Sequence, residues 1–167
     1  NSNLITLNLP VDKKLVECLY KIKARNQEIY QFPTFGDALG SDYKLFERSE
    51  LIINSFKKQL IEITKNSLKS DIFISDSFFT IFRSGGGLVS HDHLNKIDKI
   101  EGLDIAKKKF SLVYYLSVGD QTCDEPGILK LENPNQEILP SNGLIIIFPA
   151  ERRHSVFYKG EKDRIII

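Results

Sequence analysis

The apolar residues of this 167-residue chain change their period once, near Ser70, and that change constrains the fold more than any other feature. Before it, they recur three and four residues apart. Leu15, Val16, Leu19 and Ile22 do so behind Asp12, a residue suited to a helix N-cap, with Lys13, Lys14, Glu17 and Lys21 on the other face. A second helix is expected over about 44–65, with Ile52, Phe56, Leu60 and Ile63 as its buried stripe. An opening strand over 4–9 closes at Pro10, and Pro33, Gly36 and Gly40 mark an irregular connection over 31–41.

After Ser70 the period is two. Strands are expected at 72–74, 78–83, 88–91, 110–117, 128–131, 144–148, 155–158 and 164–167. Turn residues separate them, among them Ser84-Gly85-Gly86-Gly87, Asn133-Pro134-Asn135 and Pro140-Ser141-Asn142-Gly143. Residues 95–109 carry a run of charges and are expected as an exposed loop or short helix. Many short strands with turns between them fit a sandwich, jelly roll or barrel. With helices in front, the class is α+β: one domain over 1–167, helices within about 12–66 and a β core over about 70–167.

Composition narrows the function classes. A hydrophobic fraction of 41% against 27% charged residues is that of a folded domain. The net charge of +1 gives no support to nucleic-acid or membrane-surface binding through bulk charge. Cys18 and Cys123 are too few for a disulfide framework and are expected as reduced thiols. With no apolar run of about 20 residues and no secretory signal in view, a cytoplasmic location is the expectation.

The chain holds 3 histidines. His91 and His93 are two apart, so on an extended segment both project to one side while Asp92 points away. His154 follows 61 residues later (154 − 93) after an apolar strand, and can complete a face of three imidazoles with the opposite face open. Such a donor set suits Fe, Zn, Cu or Ni.

From about residue 78 onward the chain resembles the Fe(II)/2-oxoglutarate-dependent dioxygenases, near the prolyl-hydroxylase-like branch. The pieces run in that family's order. Phe82-Arg83-Ser84-Gly85-Gly86-Gly87 precedes His91-Asp92-His93; Ser111-Leu112-Val113-Tyr114-Tyr115-Leu116 is similar to a strand with paired tyrosines; Gly127-Ile128-Leu129-Lys130-Leu131 follows. Residues 143–149 then run into Arg153-His154-Ser155-Val156, with Arg164 at the basic position after the distal histidine.

The resemblance implies a double-stranded β-helix (a cupin-like jelly roll) with N-terminal supporting helices. It implies His91 and His154 as metal ligands, with His93 where the family has a carboxylate. Asp92 stays an alternative ligand should a bulge turn it inward. Arg164 matches the residue that pairs with the distal carboxylate of 2-oxoglutarate, and Tyr115 one that donates to the same group. Ile166 lacks the hydroxyl that many relatives have there. The implied cofactors are Fe(II), 2-oxoglutarate as cosubstrate, and O2. The implied reaction is hydroxylation of a C–H bond on an unassigned small molecule or peptide, releasing succinate and CO2. Two other classes compete: a three-histidine cupin-like enzyme that does not use 2-oxoglutarate, and a non-catalytic β-barrel binding module. Arg83, Arg152 and Arg153 are read as surface arginines.

Overall fold

The computed structural model describes residues 4–26, 34–35 and 38–167. Near the start lie strand β1 (Ile5–Asn8), helix α1 (Lys13–Lys21), strands β2 (Arg25–Asn26), β3 (Thr34–Phe35) and β4 (Ala38–Gly40), and helix α2 (Leu51–Leu68). Strands β5 (Thr80–Phe82) and β6 (Gly86–His91) lead to a short helix α3 (Ile105–Lys108) and the long strand β7 (Phe110–Ser117). The chain continues through β8 (Leu129–Leu131), β9 (Gln136–Ile138), β10 (Leu144–Pro149), β11 (His154–Tyr158) and β12 (Arg164–Ile166).

Two antiparallel sheets result. One has the order β1-β10-β7-β12-β5-β4-β2, the other β3-β6-β11-β8-β9. From β5 onward, strands that are neighbours in sequence alternate between the sheets apart from the β8–β9 hairpin, as in a double-stranded β-helix, and the helices cover the outer face of the larger sheet.

That covering follows from strand parity. On β7, Leu112, Tyr114 and Leu116 join a core with Leu15, Leu19, Ile53, Phe56 and Leu60 of the helices. Val113 and Tyr115, one step out of phase, join Leu129, Leu131, Ile146 and Phe148 between the sheets. Strand β10 divides likewise, Ile145 and Ile147 outward, Ile146 and Phe148 inward. Both faces of these strands are therefore buried, which is why their sequences read as unbroken apolar runs. Tyr114 seals the helix side: its ring stacks on Phe56 at 5.3 Å and its hydroxyl donates to the Leu9 carbonyl at 2.8 Å. Its neighbour Tyr115 is left for the interior.

Several expectations need correction. The second helix begins at Leu51, because Leu45–Glu47 forms a separate 3-10 turn and Arg48 is extended. Its buried stripe is Ile53, Phe56, Leu60 and Thr64, with Ile52 and Ile63 packed at the flanks. Thr64 is tolerated there because its hydroxyl donates to the Leu60 carbonyl at 2.7 Å. Residues 72–74 form no strand; they edge a cleft of about 520 Å³ that Leu60, Thr64, Phe110 and Leu112 also line, and Phe73 is exposed. The expected strand over 78–83 is reduced to β5. β9 was not expected from the sequence, and the connection over 31–41 contains β3 and β4, with residues 31–33 and 36–37 lying outside those described.

The charged stretch is also more than a solvated loop. Asp98 is buried; its carboxylate accepts from the Asn95 amide at 2.8 Å and pairs with Lys109 Nζ at 2.6 Å. Burial pushes that carboxyl up, but the Asn95 amide and Lys109 outweigh it and hold it below the usual range.

Candidate metal centre

Strands β6 and β11 pair antiparallel with His91 directly opposite His154. Between that pair and the next on the same ladder the register shifts. Leu88 pairs with Val156, so three steps on β6 (88 to 91) face two on β11 (154 to 156). The extra residue is a β-bulge, a device that re-aims the side chains beyond it.

His93 lies just past the strand. Its backbone N–H donates to the Ala150 carbonyl at 2.9 Å, and Ala150 in turn donates to the Lys109 carbonyl at 3.0 Å. These anchors bring the three sequence-predicted histidines together: their nearest ring nitrogens all lie within 4.8 Å of one another. Ring centroids are 4.3 Å apart for His91 and His154, 5.0 Å for His91 and His93, and 4.9 Å for His93 and His154. Among the described residues this is the one such group of three.

The hydrogen bonds set the tautomers. His91 Nδ1 lies 2.7 Å from the Val89 carbonyl and His154 Nδ1 lies 3.1 Å from the Arg152 carbonyl. A carbonyl only accepts, so both Nδ1 atoms carry hydrogen and both Nε2 atoms present lone pairs. His93 Nε2 meets His154 Nε2 at 3.1 Å. Burial, reinforced by the neighbouring histidines, pushes the His93 pKa down to about 4 and that of His154 down to about 3; that of His91 is also lowered, chiefly by burial. The three rings are therefore neutral at pH 7, the protonation state in which imidazole ligates a metal.

The stability of the metal-free protein should follow these shifts. In the unfolded chain each histidine protonates near its ordinary value of about 6.5. In the folded chain protonation is deferred to lower pH. Stability is then full above about 6.5 and falls as pH drops toward 4 and 3. His93 and His154 each contribute about 1.4 kcal/mol per pH unit while only the unfolded state is protonated. Urea unfolding of metal-free protein at pH 7, 6 and 5 checks this, with midpoints expected to fall at each step.

Asp92 is not part of the cluster. Its Oδ1 accepts from the Leu94 amide at 3.0 Å and sits 4.0 Å from Lys99 Nζ, while its Oδ2 is 3.6 Å from Arg153 Nη1. Arg152 is not the surface arginine expected of it. It is buried and donates to the carbonyls of Glu132 and Pro134, at 3.0 and 2.6 Å, tying down the β8–β9 hairpin.

The second predicted pair meets between the sheets. Arg164 is 1% exposed, the largest side chain among those fully buried. Its guanidinium carbon lies 5.1 Å from the Tyr115 ring centroid and 5.8 Å from that of Tyr158. Nη2 donates to the Gly127 carbonyl at 2.7 Å and Nη1 to that of Pro126 at 3.4 Å, but among the described residues Nε has no partner. Burying a cation whose donors are incompletely satisfied is costly, so this arrangement suits an anion. Burial raises the Tyr115 phenol above its usual range, against the pull of Arg164, so at pH 7 it is a donor. The core containing Tyr115 also contains Phe148, whose ring meets that of His154 at 4.9 Å. The arginine pocket and the histidines thus share one apolar interior.

Sequence reasoning missed two supports of this pocket. Tyr158 fixes its own ring by accepting from the Asp120 amide at 2.8 Å and donating to the Lys162 carbonyl. Gly127 has φ +83°, and a Cβ there would stand 1.9 Å from Arg164 Nη1. A glycine opening an apolar strand was the available signal for the second. Gly127→Ala is expected to displace the guanidinium and destabilise the fold by ~1–2 kcal/mol from the left-handed backbone alone. Thermal unfolding and ligand titration on the variant check both effects.

No family model matches the chain, and no curated protein matches it. Solved structures do. A Pseudomonas putida prolyl-4-hydroxylase superposes with a TM-score of 0.68 at 16% identity, over 99% of this chain and 90% of that one. A viral collagen prolyl hydroxylase from Paramecium bursaria Chlorella virus-1, solved with 2-oxoglutarate, gives 0.67 at 14% identity, over 98% and 92%. A 2-oxoglutarate/Fe(II) oxygenase-family oxidoreductase from Burkholderia pseudomallei gives 0.66 at 13% identity, over 98% and 82%. The chain has the double-stranded β-helix fold of these prolyl hydroxylase and 2-oxoglutarate/Fe(II) oxygenase structures.

Proposed function

We propose that this protein is an Fe(II)- and 2-oxoglutarate-dependent oxygenase that hydroxylates a C–H bond, with His91, His93 and His154 as the metal ligands. The observation that carries the proposal is Arg164: a fully buried guanidinium with an Nε unpartnered among the described residues, flanked by Tyr115 and Tyr158, in the interior that also reaches His154. A planar fork in that setting matches one carboxylate of a dicarboxylate.

The donor set fits a divalent metal, because three neutral imidazoles converge and two of them are oriented through Nδ1–H contacts to backbone carbonyls. Bound iron with 2-oxoglutarate supplies the oxidation overall, in which 2-oxoglutarate, O2 and R–H give succinate, CO2 and R–OH. The chain's own groups prepare the site. Arg164 neutralises and aligns the distal carboxylate, and the Tyr115 hydroxyl donates to it. Phe148, Ile146 and Leu131 keep water from the interior they share with Tyr115. Because His91, His93 and His154 bring no negative charge, they would leave the double charge of a bound divalent metal undiminished toward the dianionic cosubstrate, which would strengthen that binding.

Anaerobic titration of 2-oxoglutarate into Fe(II)-loaded protein should develop a metal-to-ligand charge-transfer band. Admission of O2 should then produce succinate only when Fe(II) is present. Stoichiometric metal binding without any 2-oxoglutarate binding would replace this proposal by the cupin-like three-histidine enzyme, a reading favoured by the all-nitrogen donor set.

A further inference from the structure

We infer that Arg153 is a positioning residue that sets the identity of the third metal ligand, holding Asp92 outside the cluster so that His93 faces it. The inference rests on the three-histidine reading above and concerns how this chain enforces it.

The geometry begins at the bulge. Inserting one residue into a strand reverses which side chains face inward beyond it. The extra residue between Leu88 and His91 sets the phase that places His91 opposite His154. His91 is held there by the ladder, but His93 lies past the strand, so a turn of the chain confined to residues 92 and 93 exchanges which of Asp92 and His93 faces the interior while His91 stays. Three of the contacts that Arg153 makes fall on the residues that flank His91. Nη2 donates to the Ser90 carbonyl at 2.6 Å, Nε donates to the Ser90 hydroxyl at 3.3 Å, and Nη1 stands 3.6 Å from Asp92 Oδ2.

Its own anchor is secure. The Arg153 carbonyl accepts from the Glu132 amide at 2.9 Å, and the Glu132 carboxylate accepts from the Ser90 hydroxyl. Ser90, Glu132 and Arg153 thus tie β6, β11 and the end of β8 together on the face away from the histidines. Arg153 precedes His154, so the residue that pins Asp92 outward is covalently joined to a ligand facing inward. The Leu94 amide and Lys99 hold the other Asp92 oxygen. Those two contacts lie on Asp92's own segment and move with it. The clamp from β11 does not.

The test counts coordinated imidazoles by pulsed electron paramagnetic resonance on protein loaded with Cu(II) alone. Wild type and Asp92→Asn are each expected to show three. Arg153→Ala is expected to show two, a carboxylate oxygen replacing one nitrogen, and Arg153→Ala/Asp92→Asn should return to three. Circular dichroism establishes that each variant is folded; should Arg153→Ala not fold, Arg153→Gln takes its place with the same expected count. Three imidazoles in a folded Arg153 variant would overturn the inference while leaving the three-histidine site intact. A lower count in Asp92→Asn would overturn it by making Asp92 a ligand already. Fewer than three in wild type would instead sink the ligand set of the proposed function, and the inference with it.

Discussion

Arg164→Ala should abolish measurable 2-oxoglutarate binding while the protein still takes up Fe(II). The guanidinium is buried between two tyrosine rings, with two carbonyl contacts and an Nε that has no partner among the described residues, so water cannot stand in for it on the carboxylate it would hold. Removing one partner of a buried charge pair costs about 3–5 kcal/mol, or roughly two to three and a half decades in affinity. Arg164→Lys should recover only part of this, because an ammonium offers a point charge in place of a fork. Tyr115→Phe, which keeps the ring and removes one donor, should weaken binding by about tenfold, the size of one hydrogen bond to a charged group. The charge-transfer titration reads all three. Undiminished affinity in Arg164→Ala would show that the pocket serves something other than the cosubstrate.

His154→Ala is expected to have the second large effect, on the metal. Outer-shell partners of metal ligands are worth about 10–100-fold in affinity, and loss of a ligand itself should exceed that. The same substitution removes a histidine whose pKa burial holds down at about 3. The metal-free variant should therefore lose less stability between pH 7 and pH 5 than the metal-free wild type, even if its stability at pH 7 is lower from the lost packing against Phe148. The pairing of weaker metal binding with a flatter acid profile separates a buried ligand from a merely structural ring. Fe(II) titration and urea unfolding at the two pH values measure them independently.

What could be read from the chain, and what could not, divides by how local the cause is. Strand β7 was legible because its eight residues are dominated by β-branched, aromatic and leucine side chains in one short run. So was the rule that places His91 and His93 on one side, since it needs only alternation. Arg164 stood out as a charge opening an apolar strand. The features that escaped are made by residues distant in sequence. The role of Gly127 exists only because Arg164, 37 positions later (164 − 127), passes against it. Arg153 looked like a surface charge because nothing in its neighbourhood reveals that Ser90 and Asp92 lie across the ladder. Asp98 was lost in a charged run for the same reason: its partner Lys109 is 11 residues away around a turn. The boundary of α2 was missed because Leu45 and Phe46 continue the apolar pattern into a turn of different pitch.

The way the third histidine is carried has a kinetic consequence. His91 and His154 are strand residues opposite each other, and both can leave the cluster only if their ladder parts. His93 hangs from a single backbone bond to Ala150, which is itself tied to Lys109. Proteins open in pieces, and the piece of lowest stability sets the rate of any event that needs only that piece. Metal exchange in this protein would then proceed through a two-imidazole state, reached by lifting His93 and its following loop while the sheets stay closed. Chelator-driven metal loss should keep pace with hydrogen exchange at the His93 and Ala150 amides, and run far ahead of exchange at the β6–β11 ladder.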